Sequence, residues 1–290
     1  MRDDFCVFIL THRRPNAVKT YDLWRRRGYT GKMYLVIDDG DPTADEYFQR
    51  YGNEVLVFNK KQVRSETEFY DNFENVIKQG TIVPARNACW ELSERVGCRF
   101  FMQLDDDYHG CMYRRVGKSS PDAVPSYRGW SIHSMDDVLE AMVSFVETTP
   151  ALAIAMSQGG DHFGGSLGDT DVKLKRKAMN TWVCDNSKPF RFTARLNEDV
   201  TTYVMLGAMG KLFFTHWGIQ VDQPPTQSQA GGVTELYKKL GTYAKSFYTV
   251  MAAPSCVTVR RMGRTNQRLH HSIKWNNAVP KLVSESLRKV

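Results

Sequence analysis

The stretch Arg99-Phe-Phe-Met-Gln-Leu-Asp105-Asp106-Asp107-Tyr-His109 joins a mostly apolar run to three consecutive carboxylates. The apolar run predicts a buried strand, and the aspartates follow where that strand ends. Adjacent carboxylates repel one another and are costly to desolvate, so a fold tolerates them best against a positive charge. Mg²⁺ and Mn²⁺ bind one or two protein carboxylates and keep positions open for substrate phosphates. The stretch therefore predicts a metal–diphosphate site, with an acidic turn as the alternative.

The residues before this stretch alternate between predicted strands and predicted helices. We predict strands at Phe5–Leu10, Met33–Ile37, Glu54–Phe58 and Arg99–Leu104. We predict helices at Pro15–Arg27, Pro42–Tyr51, Thr67–Gln79 and Pro84–Val96. This alternation predicts an α/β fold with a mainly parallel sheet flanked by helices, in which ligands bind beyond the carboxyl ends of the strands. Three polar segments fall at those ends: Thr11-His12-Arg13, Asp38-Asp39 and Asp105–Asp107.

The second half of the chain has a less regular pattern. In order, we predict a helix at Met135–Thr148, a strand at Ala151–Met156, a Gly-rich loop at Ser157–Asp171, a strand at Phe190–Leu196, a helix or strand at Thr201–Leu206, a loop at Gln223–Gly232 and a helix at Val233–Tyr243. No internal repeat or linker interrupts the sequence. We therefore expect one continuous domain over residues 1–290.

Composition narrows the class of protein. The chain has 290 residues, a formal net charge of +7 and a hydrophobic content of 42%. The apolar runs are shorter than the roughly 20 residues that a membrane span needs, and we expect neither a secretory signal nor a membrane partner. The six scattered cysteines predict reduced thiols and a cytoplasmic protein. Basic clusters at 173–177 and 254–290 are either solvated faces or a channel for phosphates.

The carboxylates after the second and fourth strands resemble those of GT-A nucleotide-sugar glycosyltransferases, whose fold is Rossmann-like. The resemblance implies that Asp38 or Asp39 contacts the nucleobase, that Asp105 lies on the ribose side, and that Asp107 binds Mn²⁺ or Mg²⁺. Asp106 belongs to the same donor-binding segment. Strand alternation nevertheless turns Asp106 away from the ligand, so we expect it to tolerate replacement.

The same resemblance implies further roles at the predicted rim. Thr11 and Arg13 would contact the nucleobase of a UDP-sugar, and Arg86 and Asn87 would reach the donor from the helix before the metal strand. The alternative for Arg86 is a surface helix residue. Glu198-Asp199 resembles the Glu-Asp pattern of inverting enzymes. It implies Asp199 as the general base and Glu198 as an acceptor or helix-cap contact. His271, in preference to His270, would complete the metal site, because neutral imidazole binds Mn²⁺-like ions.

Three longer strings resemble the TET/JBP-associated DNA glycosyltransferases of bacteriophages, a family related to the base J glucosyltransferase. They are Gln227–Tyr237, Gly241–Met251 and Arg268–Pro280. The resemblance implies transfer of a sugar from a UDP-sugar to the hydroxymethyl group of a 5-hydroxymethylpyrimidine in DNA, in the host cytoplasm if a phage encodes the chain. It also divides the domain into a nucleotide-sugar-binding half, 1–110, and an acceptor-binding half, 111–290, with a basic C-terminal segment.

No single motif identifies the residues that contact the acceptor molecule. Candidate acceptor contacts are Asp161, His162, Trp182, Lys245 and His270, which combine basic segments with residues able to stack on a flipped base. Two alternatives stay open. The same fold would also suit a protein or glycan acceptor, or a non-catalytic nucleic-acid-binding module with a transferase-like fold.

Overall fold

The computed structural model describes residues 1–67, 81–117, 126–162, 172–224, 241, 243–262 and 268–281. These residues form one large sheet, helices on both of its faces, and a separate hairpin. The strands are β1 (Phe5–Leu10), β2 (Lys32–Asp38), β3 (Val55–Phe58), β4 (Phe100–Asp105), β5 (Gly110–Gly117), β6 (Ser126–Ser131), β7 (Ala153–Gln158), β8 (Val172–Lys173), β9 (Trp182–Asp185), β10 (Phe213–Asp222), β11 (Val257–Met262) and β12 (Arg268–Ile273).

Helices connect these strands. They are α1 (Lys19–Arg26), α2 (Ala44–Tyr51), α3 (Lys60–Ser65), α4 (Val83–Arg95), α5 (Met135–Thr148), α6 (Glu198–Ala208), α7 (Ala244–Ala252) and α8 (Trp275–Ala278). Short 3₁₀ turns cover Gly52–Glu54 and Gly159–His162. None of the helices in the described part of the chain is long and apolar enough to cross a membrane.

The sheet gathers several strand ends at one edge. Its spatial order is β3-β2-β1-β4-β9-β7-β10-β5-β6, and β8 pairs with β10. The first four of these strands are parallel neighbours, whereas β9 runs antiparallel between β4 and β7. Because β1, β2 and β4 are parallel, their carboxyl ends meet, and Leu10 is in register with both Val36 and Asp105. This architecture confirms the predicted α/β fold with a mainly parallel sheet flanked by helices.

Both faces of the sheet are buried, and β1 shows why. Phe5, Val7 and Ile9 pack into one hydrophobic core with α1 and α5. The intervening Cys6, Phe8 and Leu10 pack into a second core with α4 and α6. A strand whose successive side chains enter two cores has a continuous apolar sequence without alternation. All six cysteines are free and buried in these layers, consistent with their prediction as reduced thiols.

The predicted elements of the first half agree with the structure, apart from their ends. Helix α1 begins at Lys19 instead of Pro15, and α3 was not predicted. The Asn59 side chain caps α3 by accepting the Gln62 backbone N–H at 2.8 Å. The predicted helix at Thr67–Gln79, most of the Gly-rich loop, and the predicted loop and helix between Gln223 and Tyr243 lie largely outside the described residues.

The predicted strand at Phe190–Leu196 is wrong, because the segment has no strand partner. The Asn87 side chain instead satisfies its backbone: the Phe192 N–H donates to Oδ1 at 2.9 Å, and Nδ2 donates to the Phe192 carbonyl at 2.9 Å. The apolar alternation arises because Phe190 and Phe192 both pack around Trp182. One amide side chain thus replaces a strand ladder here.

Helix α6 packs very close to the end of α8. A Cβ atom built on Gly207 would lie 2.2 Å from the Ala278 carbonyl oxygen, so glycine is required by backbone-to-backbone contact. Helix α6 begins with Glu198 and Asp199, and the contact at Gly207 therefore helps to set the position of those carboxylates.

We expect Gly207→Ala to lower the free energy of unfolding by about 1–3 kcal/mol, because the added methyl group overpacks this contact. In an open helix the same change would raise stability by about 1 kcal/mol through helix propensity. Urea denaturation measures the difference. Ala208→Gly, on the exposed side of the same helix, is the matched control and should show only the ordinary propensity cost. Stabilisation by Gly207→Ala would contradict the close approach.

Candidate active site

The acidic triplet sits in a tight turn that helix α1 holds in place. Asp105 is the last residue of β4, and its backbone carbonyl accepts a hydrogen bond from Thr20 Oγ1 at 2.7 Å. The same hydroxyl accepts the Tyr108 backbone N–H at 3.0 Å, and the Thr20 N–H donates to the Asp106 carbonyl. A single buried threonine thus fixes both sides of the turn.

A fully buried arginine joins the triplet to helix α6. The Arg86 side chain is 1% exposed. Its Nη2 donates to Asp105 Oδ1 and its Nε to Glu198 Oε1, both at 3.1 Å. Asn180 completes the group, because its Nδ2 donates to Asp105 Oδ2 at 2.8 Å. The interpretation of Arg86 as a surface residue is therefore wrong, and the guanidinium is an internal bridge between two predicted functional segments.

Burial changes the acidity of two carboxylates around this bridge. Desolvation raises the pKa of Asp105 to about 7; Asp107 and Glu198 add to the shift, and Arg86 opposes it. Desolvation, assisted by Glu198, likewise raises the pKa of Asp199 to about 6. The Asp199 carboxylate accepts the Val200 backbone N–H at 2.7 Å. A carboxylate with a pKa near the working pH is suited to accept a proton during a reaction.

Asp106 contradicts the expectation that it tolerates replacement. It points away from Arg86, as strand alternation predicts, but its carboxylate is buried. Oδ2 accepts a hydrogen bond from Thr11 Oγ1 at 2.7 Å, and Oδ1 accepts one from Arg14 Nη1 at 3.2 Å. Thr11 Oγ1 also bonds to the Tyr47 hydroxyl at 2.8 Å. Thr11 and Asp106 are therefore paired with each other, and neither presents a free polar group to a donor.

The ends of β1, β2 and β3 form a second polar cluster. The Asp38 carboxylate lies 3.0 Å from His12 Nδ1 and 3.1 Å from Lys60 Nζ. Burial alone would raise the pKa of Asp38, but hydrogen bonds and charge from His12 and Lys60 lower it to about 2. Asp39 is exposed beside it, and its Oδ1 accepts the Lys60 backbone N–H. Arg13 lies at the same edge with a left-handed backbone, φ 56°.

Asp107 is the carboxylate of the triplet that stays open. It is half-buried, and burial raises its pKa. Neither an ion pair nor a side-chain hydrogen bond reaches its carboxylate within the described part of the chain. The described residues contain no group of three or more His, Cys, Asp or Glu arranged to hold a metal ion. A metal ion at Asp107 would thus need further ligands besides this carboxylate.

His271 lies in a buried, positively charged environment. Burial, followed by the charges of Lys177, His270 and Lys245, lowers the pKa of His271 to about 2, so the imidazole is neutral. Nδ1 lies 3.4 Å from Asn197 Nδ2, in the residue before Glu198. Nε2 is buried without a hydrogen-bond partner among the described residues. An unpaired, neutral imidazole nitrogen fits a metal ligand or an acceptor for a polar ligand group.

Two candidate acceptor residues come near the same edge. Asp161 and Asp199 both lie close enough to Tyr203 to raise its pKa, after the larger effect of burial. The Tyr203 hydroxyl is itself buried without a partner in the described residues. His162 Nε2 lies 3.0 Å from Ser157 Oγ, and its ring packs edge-on against Trp217. Burial lowers the pKa of His162 to about 4.

Two predicted contacts lie away from any open site. Trp182 is fully buried in an aromatic cluster with Phe190, Phe192 and Phe213, so it cannot stack on a base. Asn87 is buried, and its amide is used by the Phe192 backbone as described above. Both side chains stabilise the second core, and their predicted acceptor-binding and donor-binding roles do not fit the structure.

A family comparison decides the class of protein. The family model for TET-associated glycosyltransferases matches residues 5–232. The chain belongs to the TET-associated glycosyltransferase family. The predicted family is thereby confirmed. This TET-associated glycosyltransferase carries its acidic triplet, Arg86 and Glu198-Asp199 within the matched residues. No curated protein sequence gives a significant match to the chain.

Two solved structures are distant neighbours of this glycosyltransferase. Glucosyl-3-phosphoglycerate synthase from Mycobacterium tuberculosis, in complex with Mn²⁺, UDP and phosphoglyceric acid, is 8% identical with a TM-score of 0.43, covering 93% of this chain and 87% of that one. Residues 1–349 of S. aureus TarS are 9% identical with a TM-score of 0.38, covering 75% of this chain and 60% of that one.

Several residues of the glycosyltransferase site were not found from its sequence. Asn180 lies in a segment without any motif, and only the folded chain brings it to Asp105. Tyr203 had a usable signal, because it lies four residues after Asp199 on the same helix. Lys60 had a usable signal, because it follows β3 at the same edge where β1 and β2 deliver polar residues. His12 was noted only as part of a segment, whereas it is the closest basic group to Asp38.

We expect Arg86→Lys to lower the free energy of unfolding by about 2–4 kcal/mol, because one ammonium group cannot bridge both Asp105 and Glu198 in a buried site. Chemical denaturation measures this loss. Arg26→Lys, an exposed change on α1, is the matched control and should stay within about 0.5 kcal/mol of wild type. Equal effects of the two substitutions would show that the bridge contributes little.

Proposed function

We propose that this protein is an inverting, metal-dependent glycosyltransferase that moves a sugar from a UDP-sugar to the hydroxymethyl group of a 5-hydroxymethylpyrimidine in DNA. One observation carries the proposal. Arg86 ties the acidic donor triplet, through Asp105, to Glu198, the residue beside the candidate base Asp199. This bridge supports the proposal because it keeps the candidate donor carboxylates next to the candidate base.

The donor would lie across the carboxyl ends of β1, β2 and β4. Asp38 and Asp39 would accept hydrogen bonds from the nucleobase, with Arg13 beside them. Asp105 would face the ribose, and the Nη1 atom of Arg86, buried without a partner in the described residues, would donate to a donor oxygen. Lys177, whose charge acts on His271, would offset the negative charge of the diphosphate.

Asp107 and His271 would hold the divalent cation. The fit rests on two observations: the open carboxylate of Asp107, and the neutral His271 imidazole whose buried Nε2 has no partner among the described residues. Such a set, completed by phosphate oxygens, suits Mn²⁺ or Mg²⁺. A bound cation would neutralise the charge that develops on the leaving diphosphate.

The chemical step would use Asp199 as the general base. Its carboxylate takes the proton of the acceptor hydroxymethyl group while that oxygen attacks the anomeric carbon of the sugar. The bond from the anomeric carbon to the diphosphate oxygen breaks, and UDP leaves with the bonding electrons. A single displacement inverts the anomeric configuration. Glu198 is ion-paired with Arg86 at the start of α6 and would orient this base. Its negative charge also interacts favourably with the positive N-terminal end of the helix dipole.

Asp161, His162, Lys245 and His270 would surround the acceptor. Asp161 and the candidate base Asp199 both raise the pKa of Tyr203, after the larger effect of burial. A base buried in a duplex cannot reach Asp199, so the hydroxymethylpyrimidine would be flipped out of its stack. The basic segments would hold the DNA phosphates. Reduced cysteines and a DNA acceptor both point to the cytoplasm, that of the host cell if a phage encodes the chain.

The decisive test is mass spectrometry of nucleosides from DNA incubated with the enzyme, Mn²⁺ and a panel of nucleotide sugars. Duplexes containing hydroxymethylcytosine, hydroxymethyluracil or no modification are compared with a protein acceptor. A mass increase of one sugar on a hydroxymethylated nucleoside supports the proposal. Transfer to protein alone, or UDP-sugar hydrolysis without transfer to any DNA, would reject the DNA acceptor.

We expect Asp199→Asn to reduce turnover by about 10²–10⁴-fold, because the amide cannot accept the acceptor proton. Calorimetric titration should show unchanged UDP-sugar binding, since the substitution preserves shape and does not touch the donor side. A variant with near wild-type turnover would remove Asp199 as the base.

The pH dependence of transfer should follow the same carboxylate. Asp199 acts only when it is ionised, and its pKa is raised to about 6. Turnover should therefore rise with pH through an ascending limb centred near that value, and lose this limb in Asp199→Asn. Initial rates between pH 5 and 8 check this.

We expect Asp107→Asn to weaken Mn²⁺ binding by at least about 100-fold, because a neutral amide is a poorer ligand for a hard cation. Isothermal titration with Mn²⁺ in the presence of UDP measures this. Asp45→Asn, an exposed change in the first turn of α2, is the control and should bind normally. Full transfer by EDTA-treated wild-type enzyme would show that no metal is needed.

A further inference from the structure

Helix α7 exposes a line of large apolar side chains. Tyr243, Phe247 and Met251 are 51%, 42% and 52% exposed, and their spacing of four residues puts them on one face of the helix. The rings of Tyr243 and Phe247 meet edge to face with centroids 6.0 Å apart. Leu269 on β12 is 46% exposed. Large apolar side chains grouped in this way on a surface indicate an interaction site.

The segment that carries this line is strongly basic. Between Gly241 and Ser284 the sequence contains no Asp or Glu, and it contains seven Lys and Arg residues: Lys245, Arg260, Arg261, Arg264, Arg268, Lys274 and Lys281. Arg260 and Arg261 are exposed at the end of β11, on the hairpin that packs against α7. We call Tyr243, Phe247 and Met251, together with the exposed Arg260 and Arg261 of the neighbouring hairpin, the α7 surface; as successive strand residues, the two arginines leave opposite faces of that hairpin. Its charge is complementary to a polyanion.

The opposite face of α7 contacts the candidate active site. Thr249 is buried, and its hydroxyl accepts a hydrogen bond from Asn197 Nδ2 at 2.5 Å. Asn197 directly precedes Glu198 and Asp199, and it also approaches His271. The α7 surface is therefore separated from the catalytic segment by about one helix diameter, roughly 10 Å.

We propose that the α7 surface binds the DNA that flanks the flipped nucleotide, with Arg260 and Arg261 on phosphates and Tyr243 and Phe247 stacked on exposed bases or sugars. This inference rests on the proposed DNA acceptor. Cationic side chains interleaved with aromatic ones are the features that bind nucleic acid strands independently of sequence. A protein partner or a second copy of this chain would not require forty-four residues without a carboxylate.

The test measures affinity for a fluorescently labelled, unmodified duplex by anisotropy at salt concentrations from 50 to 200 mM. Tyr243→Ala/Phe247→Ala should weaken binding by about tenfold or more through lost stacking. Arg260→Gln/Arg261→Gln should reduce the slope of log affinity against log salt by about 1 for each lost phosphate contact. Matched controls are Met209→Ala, at an exposed apolar position after α6, and Arg26→Gln, at an exposed position on α1.

Metal-dependent UDP-sugar hydrolysis should be the same in all four variants, which shows that the site is intact. Wild-type affinity and salt slope in both surface variants would overturn the inference. It would also be overturned if the variants kept duplex affinity but lost binding to anionic vesicles, which would indicate a lipid surface. A change confined to the mass measured by light scattering would indicate a second copy of the chain and would overturn it too. If the wild-type enzyme transfers no sugar to hydroxymethylated DNA but the variants still lose duplex affinity, the proposed function fails and the DNA-binding surface stands.

Discussion

The buried Arg86 guanidinium is the interaction on which the site depends. Two carboxylates from distant parts of the chain, Asp105 and Glu198, are brought out of water, and each would be costly there without a cation. Arg86 satisfies both through separate nitrogens of one rigid plane. The geometry of a guanidinium therefore sets the relation between the end of β4 and the start of α6. The raised pKa of Asp199 has another origin, because burial and Glu198 raise it while Arg86 opposes the shift.

The sheet supplies the frame in which this bridge forms. Because both of its faces are covered, side chains leave the core chiefly at strand ends. Parallel pairing of β3, β2, β1 and β4 brings their carboxyl ends to one edge, so residues far apart in sequence meet there. Asp38, with its lowered pKa, and Asp105, with its raised pKa, lie at the same edge. His12 and Lys60 lower the pKa of Asp38 by more than burial raises it. At Asp105 burial raises the pKa by more than Arg86 lowers it.

Much of this was predictable from the sequence, and the reasons for the failures are physical. Apolar runs bounded by Gly, Pro and Asp gave β1 to β4 with errors of a residue or two. The same logic failed at Phe190–Leu196, because the pairing partner of that backbone is one side chain, Asn87, and no pattern encodes it. The sequence predicts which residues lie at the edge of the sheet, but not which of them pair. Thr11 pairs with Asp106 and Arg86 with Glu198, and each pair is separated by about a hundred residues of sequence.

The tight contact between Gly207 and Ala278 has a consequence for the C-terminal segment of the chain. The stretch matched to the family ends at residue 232. Helix α6 is nevertheless contacted by three later residues: Ala278 packs against Gly207, and Thr249 and His271 both approach Asn197. The start of α6, which carries Glu198 and Asp199, is thus held in part by residues that follow the matched stretch. A chain shortened to the matched residues would lose these contacts, and the two carboxylates would lose part of what fixes their position.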